Sequence, residues 1–195
     1  FGLGPISIED TKQFVGDGYK KLVERSLIAY GDKELTHYKE ALDVYNEVFK
    51  DCCLYKVEAY EGIPQLLDFL KEHGILATVL SNKPHQRALE NVAHVFGDHT
   101  FDKVYGEREA LGIRKKPAPD GVVALIEELG LEKEDCLYLG DTNTDMETGQ
   151  AAQVDTVGVT WGFRPREELE AFTPKLVADS PLQVIDYIKA VNHIE

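Results

Sequence analysis

Two aspartates that follow an apolar run near residue 140 could bind a metal ion. Residues 136–139 are typical of a buried strand, and Gly140 allows a sharp turn where that strand ends. Asp141 then lies at the carboxyl end of the strand, and Asp145 lies one helical turn later on the same face. Two neighbouring carboxylates repel each other unless a cation lies between them, and Mg²⁺ typically takes one or two protein carboxylates plus a substrate phosphate. A solvated turn with an acidic helix start is the alternative interpretation.

A second set of polar residues follows the apolar run 75–80. Ser81 and Asn82 come at the end of this predicted strand, and Pro84 is suited to the first turn of a helix. Backbone N–H groups at a helix N-terminus, joined by a hydroxyl and an amide, can bind an anion. An ordinary helix cap is the competing interpretation of Ser81.

A lysine and a glycine turn complete the candidate residues. Lys116 precedes two prolines, Pro117 and Pro119, which fix the loop and begin the next helix, so this lysine is predicted to be held in place. Far upstream, Gly16 and Gly18 flank an aspartate in a turn that could approach a small anion closely, as in a lid. A solvated lysine and a simple helix–helix turn are the respective alternatives.

The hydrophobic pattern that must position these residues changes once, near residues 60–62. Residues 1–60 carry apolar side chains at helical spacing, whereas helices and strands alternate from residue 61 onward. The predicted strands are 75–80, 103–105, 136–139, 156–159 and 175–178, and the predicted helices are 62–72, 84–96, 119–129, 144–152 and 181–190. This alternation predicts an α/β, Rossmann-like parallel sheet with flanking helices, which binds ligands beyond the carboxyl ends of its strands.

Composition restricts the partners and the compartment. The net charge of −14 disfavours binding to nucleic acid and to anionic membranes. The hydrophobic content of 43% supports a packed core, and no apolar run approaches the length that spans a bilayer. Three cysteines, Cys52, Cys53 and Cys136, do not form a disulfide framework and indicate a reducing cytoplasm. We therefore predict a cytoplasmic monomer or homodimer.

In their order along the chain, the three later segments resemble motifs II, III and IV of the haloacid dehalogenase superfamily of aspartate-nucleophile phosphotransferases. These segments are Leu-Ser-Asn-Lys-Pro at 80–84, Lys-Pro-Ala-Pro-Asp at 116–120 and Gly-Asp-Thr-Asn-Thr-Asp at 140–145. They look most like the phosphoglycolate phosphatase group. The resemblance implies a helical cap domain at 1–60 and a haloacid dehalogenase-like core at 61–195. It also implies a Mg²⁺-dependent phosphatase that hydrolyses a small phosphorylated metabolite such as 2-phosphoglycolate through an aspartyl-phosphate.

The resemblance also implies a role for each candidate residue. Asp141 would bind Mg²⁺, and Asp145 would be a second ligand or would orient a metal-bound water. Ser81 would donate a hydrogen bond to a phosphoryl oxygen, assisted by the backbone and side chain of Asn82. Lys116 would contact both the phosphoryl group and the nucleophilic carboxylate. Gly16 is predicted to contact the substrate.

One motif of this family does not occur in the sequence. The family begins with an apolar strand ending in Asp-x-Asp-Gly-Thr, which carries the nucleophile, whereas this chain opens at Phe1 in what resembles a cap. We therefore expect a preceding segment in the native protein, and we expect the 195-residue chain alone to be inactive. The alternatives are a pyrophosphatase, a sugar-phosphate phosphatase or a mutase, which usually has Glu in place of Gly140. A haloacid dehalogenase and a non-catalytic pseudophosphatase module are further alternatives.

Overall fold

A computed structural model describes residues 1–194 and divides the chain into two compact units. The first is Phe1–Val57, and the second begins at Glu58. The first unit contains three helices, α1 (Ile8–Phe14), α2 (Tyr19–Ala29) and α3 (Tyr38–Cys52). This unit therefore has the helical character that the sequence predicts. Its assignment as a cap that covers a site stays a prediction.

Local signals in the sequence account for the first helices. Ser7 is the N-cap of α1, and its hydroxyl accepts the N–H of Asp10 at 3.0 Å. Apolar spacing on α2 buries Val23 and Leu27. By contrast, α3 has no fully buried residue, and its Tyr45 ring stacks on Phe49 of the same helix and on Tyr19 of α2.

Helices and parallel strands alternate in the second unit. The strands are β1 (Thr78–Pro84), β2 (Lys103–Glu107), β3 (Leu137–Gly140), β4 (Asp155–Val159) and β5 (Leu176–Ala178). The helices are α4 (Ile63–Glu72), α5 (His85–Phe96), α6 (Asp120–Leu129), α7 (Asn143–Ala152), α8 (Arg166–Glu170) and α9 (Pro181–Asn192). All strand pairs are parallel, β1 with β2 and β3–β4–β5 in that order. The predicted α/β class is confirmed.

The boundaries of β1 differ from the prediction. The strand begins at Thr78 and continues to Pro84, with a register shift between Leu80 and Pro84. Pro84 has φ −49° and ψ 135°, so its backbone is extended and it precedes α5. The expectation that Pro84 would occupy the first turn of the helix is therefore wrong. Ser81 and Asn82 consequently lie within the irregular end of a strand.

The main core surrounds β4. Because β4 has a strand partner on each side and helices over its faces, Val157 is fully buried and Val159 is nearly so. The rest of this cluster comes from Ala178 of β5 and from helices α4 and α9, which contribute Leu66, Phe69, Val184 and Ile188. Alternating strands and helices thus produce parallel sheets, and the candidate residues lie at the carboxyl ends of β1 and β3.

Candidate active site

The end of β3 turns directly into helix α7 through a capping box. Thr142 is the N-cap, and its hydroxyl accepts the N–H of Asp145 at 3.2 Å. The Asp145 carboxylate in turn accepts the N–H of Thr142 at 3.1 Å and its hydroxyl at 2.6 Å. These reciprocal bonds satisfy backbone donors that a helix start leaves open. They also fix the direction in which the Asp145 carboxylate points.

Asp145 forms a buried ion pair with the predicted lysine. Lys116 Nζ lies 2.6 Å from Asp145 Oδ1, with side chains 12% and 7% exposed respectively. The same ammonium donates to the carbonyl oxygen of Leu80 at 3.2 Å, and the hydroxyl of Tyr138 donates to Asp145 Oδ1 at 3.3 Å. The pair therefore joins the end of β1 to the start of α7. Both oxygens of Asp145 are engaged by protein donors.

The charges of this pair support each other. Burial alone would lower the pKa of Lys116, but the Tyr138 oxygen and the Asp145 carboxylate outweigh it and raise that pKa. Burial would raise the pKa of Asp145, but the Lys116 ammonium and the Thr142 donors hold it below its usual value. Both groups are therefore charged at neutral pH, so that a cation stays fixed at the edge of the sheet.

The surroundings of Asp141 shift its pKa in the opposite direction from that of Asp145. Burial raises its pKa, and the negative charge of Asp145 adds to the rise. Within residues 1–194, it accepts the N–H of Phe163 at 2.9 Å, and this bond offsets the rise only in part. A partly buried carboxylate with spare acceptor capacity beside a second carboxylate is stabilised by a bound cation. Asp141 therefore fits the role of metal ligand, whereas the oxygens of Asp145 are already occupied.

Two glycines leave space for these carboxylates. A Cβ atom on Gly162 would lie 2.1 Å from Asp141 Oδ2 and 2.3 Å from its Cβ. A Cβ atom on Gly140 would lie 2.1 Å from the Cβ of Asp145. Neither position tolerates a side chain unless its aspartate moves. The glutamate that mutases of this superfamily usually have in place of Gly140 would require a different placement of Asp145.

Asn82 and Ser81 are used differently at the end of β1. The Asn82 side chain is buried and contacts the backbone of Lys116 twice. Its Oδ1 accepts the Lys116 N–H at 2.9 Å, and its Nδ2 donates to the Lys116 carbonyl at 3.0 Å. Ser81 Oγ accepts the N–H of Lys83 at 3.1 Å, which leaves its proton available to a ligand. Sequence reasoning had assigned the side chain of Asn82 to the substrate instead.

Gly16 lies in the first unit, in the connection between α1 and α2. Gly16 and Gly18 have φ of 121° and 88°, values that favour glycine. Arg25 holds this turn by donating to the carbonyl of Phe14 at 2.9 Å and pairing with Asp17 at 2.5 Å. The turn is therefore a defined structure. Its contact with a substrate stays a prediction.

Sequence reasoning missed several residues that shape the site. The Thr-x-x-Asp spacing of Thr142 and Asp145 is a capping-box pattern and could have identified Thr142. Tyr138 was noted only as part of an apolar strand. Gly162 and Phe163 lie next to Asp141 in the structure. The Phe163 N–H, which donates to Asp141, is 22 residues further along the chain. No local pattern predicts that contact, because it depends on how the segment after β4 folds back.

The donor set suits a hard cation that keeps most of its water. Among residues 1–194, no three His, Cys, Asp or Glu side chains gather into a metal site of their own. Asp141 has an oxygen available to a cation, whereas the neighbouring Asp145 is engaged by protein donors. Such a site fits Mg²⁺ better than Zn²⁺ or Ca²⁺, which require more protein ligands. The site therefore needs additional oxygens, from water, substrate phosphate or another carboxylate.

The three segments and their geometry place the chain among known proteins. Residues 1–159 match the family model of haloacid dehalogenase-like hydrolases. The chain belongs to this family. A haloacid dehalogenase-like hydrolase from Streptococcus pneumoniae has a similar fold, with a TM-score of 0.83 at 22% identity, over 96% of this chain and 84% of that one.

Curated relatives are phosphatases of differing names. The chain is 29% identical to a phosphoglycolate phosphatase of Psychrobacter arcticus, over 96% of this chain and 83% of that protein. It is 30% identical to a 5'-nucleotidase of Pseudomonas aeruginosa, over 89% of this chain and 78% of that protein. The predicted enzyme class, a phosphoric monoester hydrolase of this family, is confirmed.

The structure also bears on membrane association and on the cysteines. No helix within residues 1–194 combines the length and the apolar character that crossing a bilayer requires. Cys52, Cys53 and Cys136 are free thiols. The cytoplasmic location and the oligomeric state stay predictions.

Proposed function

We propose that this protein is a Mg²⁺-dependent phosphatase of small phosphate monoesters, with 2-phosphoglycolate as the substrate to test first. The observation that carries the proposal is the Lys116–Asp145 ion pair beside the incompletely satisfied carboxylate of Asp141. A fixed cation and an open carboxylate lie together at the carboxyl end of parallel strands, where such folds bind ligands. With Mg²⁺ bound at Asp141, the metal and the Lys116 ammonium would supply the local positive charge that holds a phosphate despite the net charge of −14.

Each residue would serve phosphoryl transfer in a distinct way. Asp141 would hold Mg²⁺, whose positive charge would neutralise part of the phosphoryl charge. The hydroxyl of Ser81 would donate a hydrogen bond to one phosphoryl oxygen. Lys116 would face another, and its pairing with Asp145 keeps it charged and immobile. Fixed charges of this kind act without reorganising as the transition state forms, which is how most of the barrier to phosphoryl transfer is lowered.

The nucleophile is proposed to come from a strand outside residues 1–195. Within the part of the chain that the structure describes, β1 pairs only with β2, and β3 pairs only with β4. The three apolar residues of β3 are only half-buried, whereas four of the five residues of β4 are buried. A further parallel strand between β1 and β3 would satisfy both free edges and would end beside Lys116 and Asp141. Its carboxylate would attack phosphorus and break the ester P–O bond, giving an aspartyl-phosphate and the alcohol, which takes a proton from the general acid on the same strand. Water would then hydrolyse the aspartyl-phosphate to inorganic phosphate and restore the carboxylate.

Other members of the same class remain alternatives for the substrate. The names of the relatives include phosphoglycolate phosphatase and 5'-nucleotidase. A pyrophosphatase or a sugar-phosphate phosphatase would use the same fixed cation and carboxylate. The lack of space at Gly140 favours a phosphatase over a mutase with glutamate there. A reducing cytoplasm suits the three free thiols.

The test uses the protein with its native N-terminus, established by intact mass and N-terminal sequencing. Hydrolysis of 2-phosphoglycolate, pyrophosphate, a sugar phosphate and a nucleoside monophosphate is measured with Mg²⁺ and with EDTA. We expect Mg²⁺-dependent release of phosphate, with the highest kcat/KM for 2-phosphoglycolate, and we expect no turnover by the 195-residue chain alone. A native N-terminus at Phe1 without activity would support the pseudophosphatase alternative.

A further inference from the structure

We infer that Asn82 is a positioning residue that acts on catalysis through Lys116 instead of through the substrate. The side chain of Asn82 is 8% exposed, and both ends of its amide are bonded to the backbone of Lys116. The kinetic part of this inference rests on the proposed phosphatase function. The contact between the two residues does not.

The Asn82 side chain forms hydrogen bonds with both backbone polar groups of Lys116. The amide oxygen accepts the Lys116 N–H at 2.9 Å, and the amide nitrogen donates to the Lys116 carbonyl at 3.0 Å. A two-point contact of this kind fixes both the distance and the orientation of the backbone that it grips. The residues are 34 positions apart, so the contact ties the Lys116 loop to the end of β1.

The ammonium of Lys116 also returns to β1. Its Nζ donates to the carbonyl of Leu80 at 3.2 Å, two residues before Asn82. The backbone and the side chain of Lys116 are therefore both hydrogen-bonded to β1, the strand that also carries Ser81. Any movement of the loop relative to β1 would change the distance between the lysine cation and the serine hydroxyl. Asn82 thus keeps two groups that would face one phosphate in register.

A second contact holds the same loop from its solvent side. Arg114 donates to the two oxygens of Asp120 at 2.9 and 2.7 Å, and these residues flank Lys116. The side chain of Arg114 is 73% exposed, so water competes with this pair. The buried amide contact lies in a region where a lost hydrogen bond costs more. We therefore assign the positioning of Lys116 chiefly to Asn82.

A double-mutant cycle in the protein with its native N-terminus tests this inference. Asn82→Ala should lower kcat for 2-phosphoglycolate by about 10- to 100-fold, the usual effect of removing a group that orients a functional one, with little change in KM. In a Lys116→Ala background, the same change should cost no more than about twofold, because its target is already gone. Losses that multiply would overturn the inference, because Asn82 would then act on the substrate itself.

Asn91→Ala is the matched control. Asn91 lies on α5, where its Nδ2 donates to the carbonyl of Arg87 and its Oδ1 accepts from Lys83 Nζ, so its side chain bonds to residues other than Lys116. We expect it to change kcat by less than about twofold. Asn82→Asp is nearly isosteric and keeps the acceptor for the Lys116 N–H. Asn82→Asp replaces Asn82→Ala in this test if the alanine variant does not fold. It should also lower kcat by a larger factor than it changes KM.

An NMR measurement separates this inference from the proposed function. The ¹³Cε signal of Lys116 is identified by its loss in Lys116→Arg. It should shift in Asn82→Ala and stay in place in Asn91→Ala, even if the wild-type protein hydrolyses no phosphate ester. An unchanged Lys116 signal in Asn82→Ala would overturn the inference whatever the activity shows.

Discussion

Asp141 and Asp145 lie four residues apart, yet their surroundings differ in a way that separates two functions. The region around Asp145 is complete: Thr142, Tyr138 and Lys116 supply donors to both of its oxygens, and its pKa is lowered. The region around Asp141 is incomplete, because within residues 1–194 it receives one N–H from another residue and its pKa is raised. Folding stabilises the charge of Asp145 and disfavours that of Asp141.

The difference shows which carboxylate is reserved for a ligand. A raised pKa means that the folded protein destabilises the ionised form, so the charge of Asp141 opposes stability at neutral pH until a cation binds. For Asp145 the sign is reversed, and its charge stabilises the fold at neutral pH. The complete region should therefore govern stability, and the incomplete region should govern metal binding.

The largest expected effect on activity comes from Asp141→Asn. We expect at least about a 10³-fold loss of kcat/KM in the protein with its native N-terminus, because a neutral amide is a poor Mg²⁺ ligand. Thermal unfolding in EDTA should show unchanged or higher stability, because a partly buried charge that folding disfavours has been removed.

Asp145→Asn is the contrasting variant for the same measurement. It leaves the buried ammonium of Lys116 without its partner, so we expect a loss of about 3–5 kcal/mol in the free energy of unfolding. Equal stability losses in the two variants would contradict the proposed division between the regions.

Replacing Lys116 by alanine should have the next largest effect. We expect Lys116→Ala to lower kcat by about 10²–10³-fold, because a fixed charge that stabilises the transition state is lost. Lys115→Ala is the matched control, because this neighbour forms no ion pair within residues 1–194, and it should change kcat by less than about twofold. Similar losses at both positions would show that general basic charge matters and that the alignment with the family motif is displaced.

The pairing of Lys116 with the second aspartate could be predicted only in part. Alternating apolar segments and the turn at Gly140 place Ser81, Asp141 and Asp145 at the carboxyl ends of parallel strands, whereas the family resemblance assigns Lys116 to the same site. The sequence could not show that Asp145 would be fully engaged, because that depends on Tyr138 and on a lysine 29 residues away. It also could not show that the Asn82 side chain would turn to the Lys116 backbone. Such contacts arise from the packing of elements that no local period encodes.

A smaller effect is expected from Gly162→Ala, which perturbs the incomplete region without removing a functional group. The φ of Gly162 lies outside the left-handed region, so alanine fits the backbone and only the contact with Asp141 changes. Because Asp141 or the turn must move, we expect Mg²⁺ affinity and activity to fall by about 10- to 100-fold. The measurement is the Mg²⁺-induced rise in Tm, compared with wild type. An unchanged rise would show that the turn does not position the carboxylate.

The end of β1 and the segment after β4 show why other parts of the fold could not be predicted from the sequence. β1 extends to Pro84 because its backbone stays extended and pairs with Glu107, a choice that the apolar run ending at Leu80 does not encode. The segment after β4 curls back so that Phe163 reaches Asp141. In both cases the conformation depends on a contact with a residue distant in the sequence, Glu107 for the end of β1 and Asp141 for Phe163.

The smallest expected effect concerns Asp120, which holds the solvent side of the Lys116 loop. Hydrogen bonds from Arg114 lower the pKa of Asp120 to about 2. Because the folded pKa is lower than the unfolded one, this pair stabilises the protein above about pH 4, and the contribution is lost as pH falls toward 2. The difference in unfolding free energy between wild type and Asp120→Asn, measured in urea, should therefore be constant from pH 7 to pH 5 and shrink by pH 3. Arg114→Gln should show the same dependence, because it removes the other partner. A difference that stayed constant down to pH 3 would mean that the contribution of Asp120 does not depend on its charge, and that the ion pair with Arg114 does not stabilise the loop.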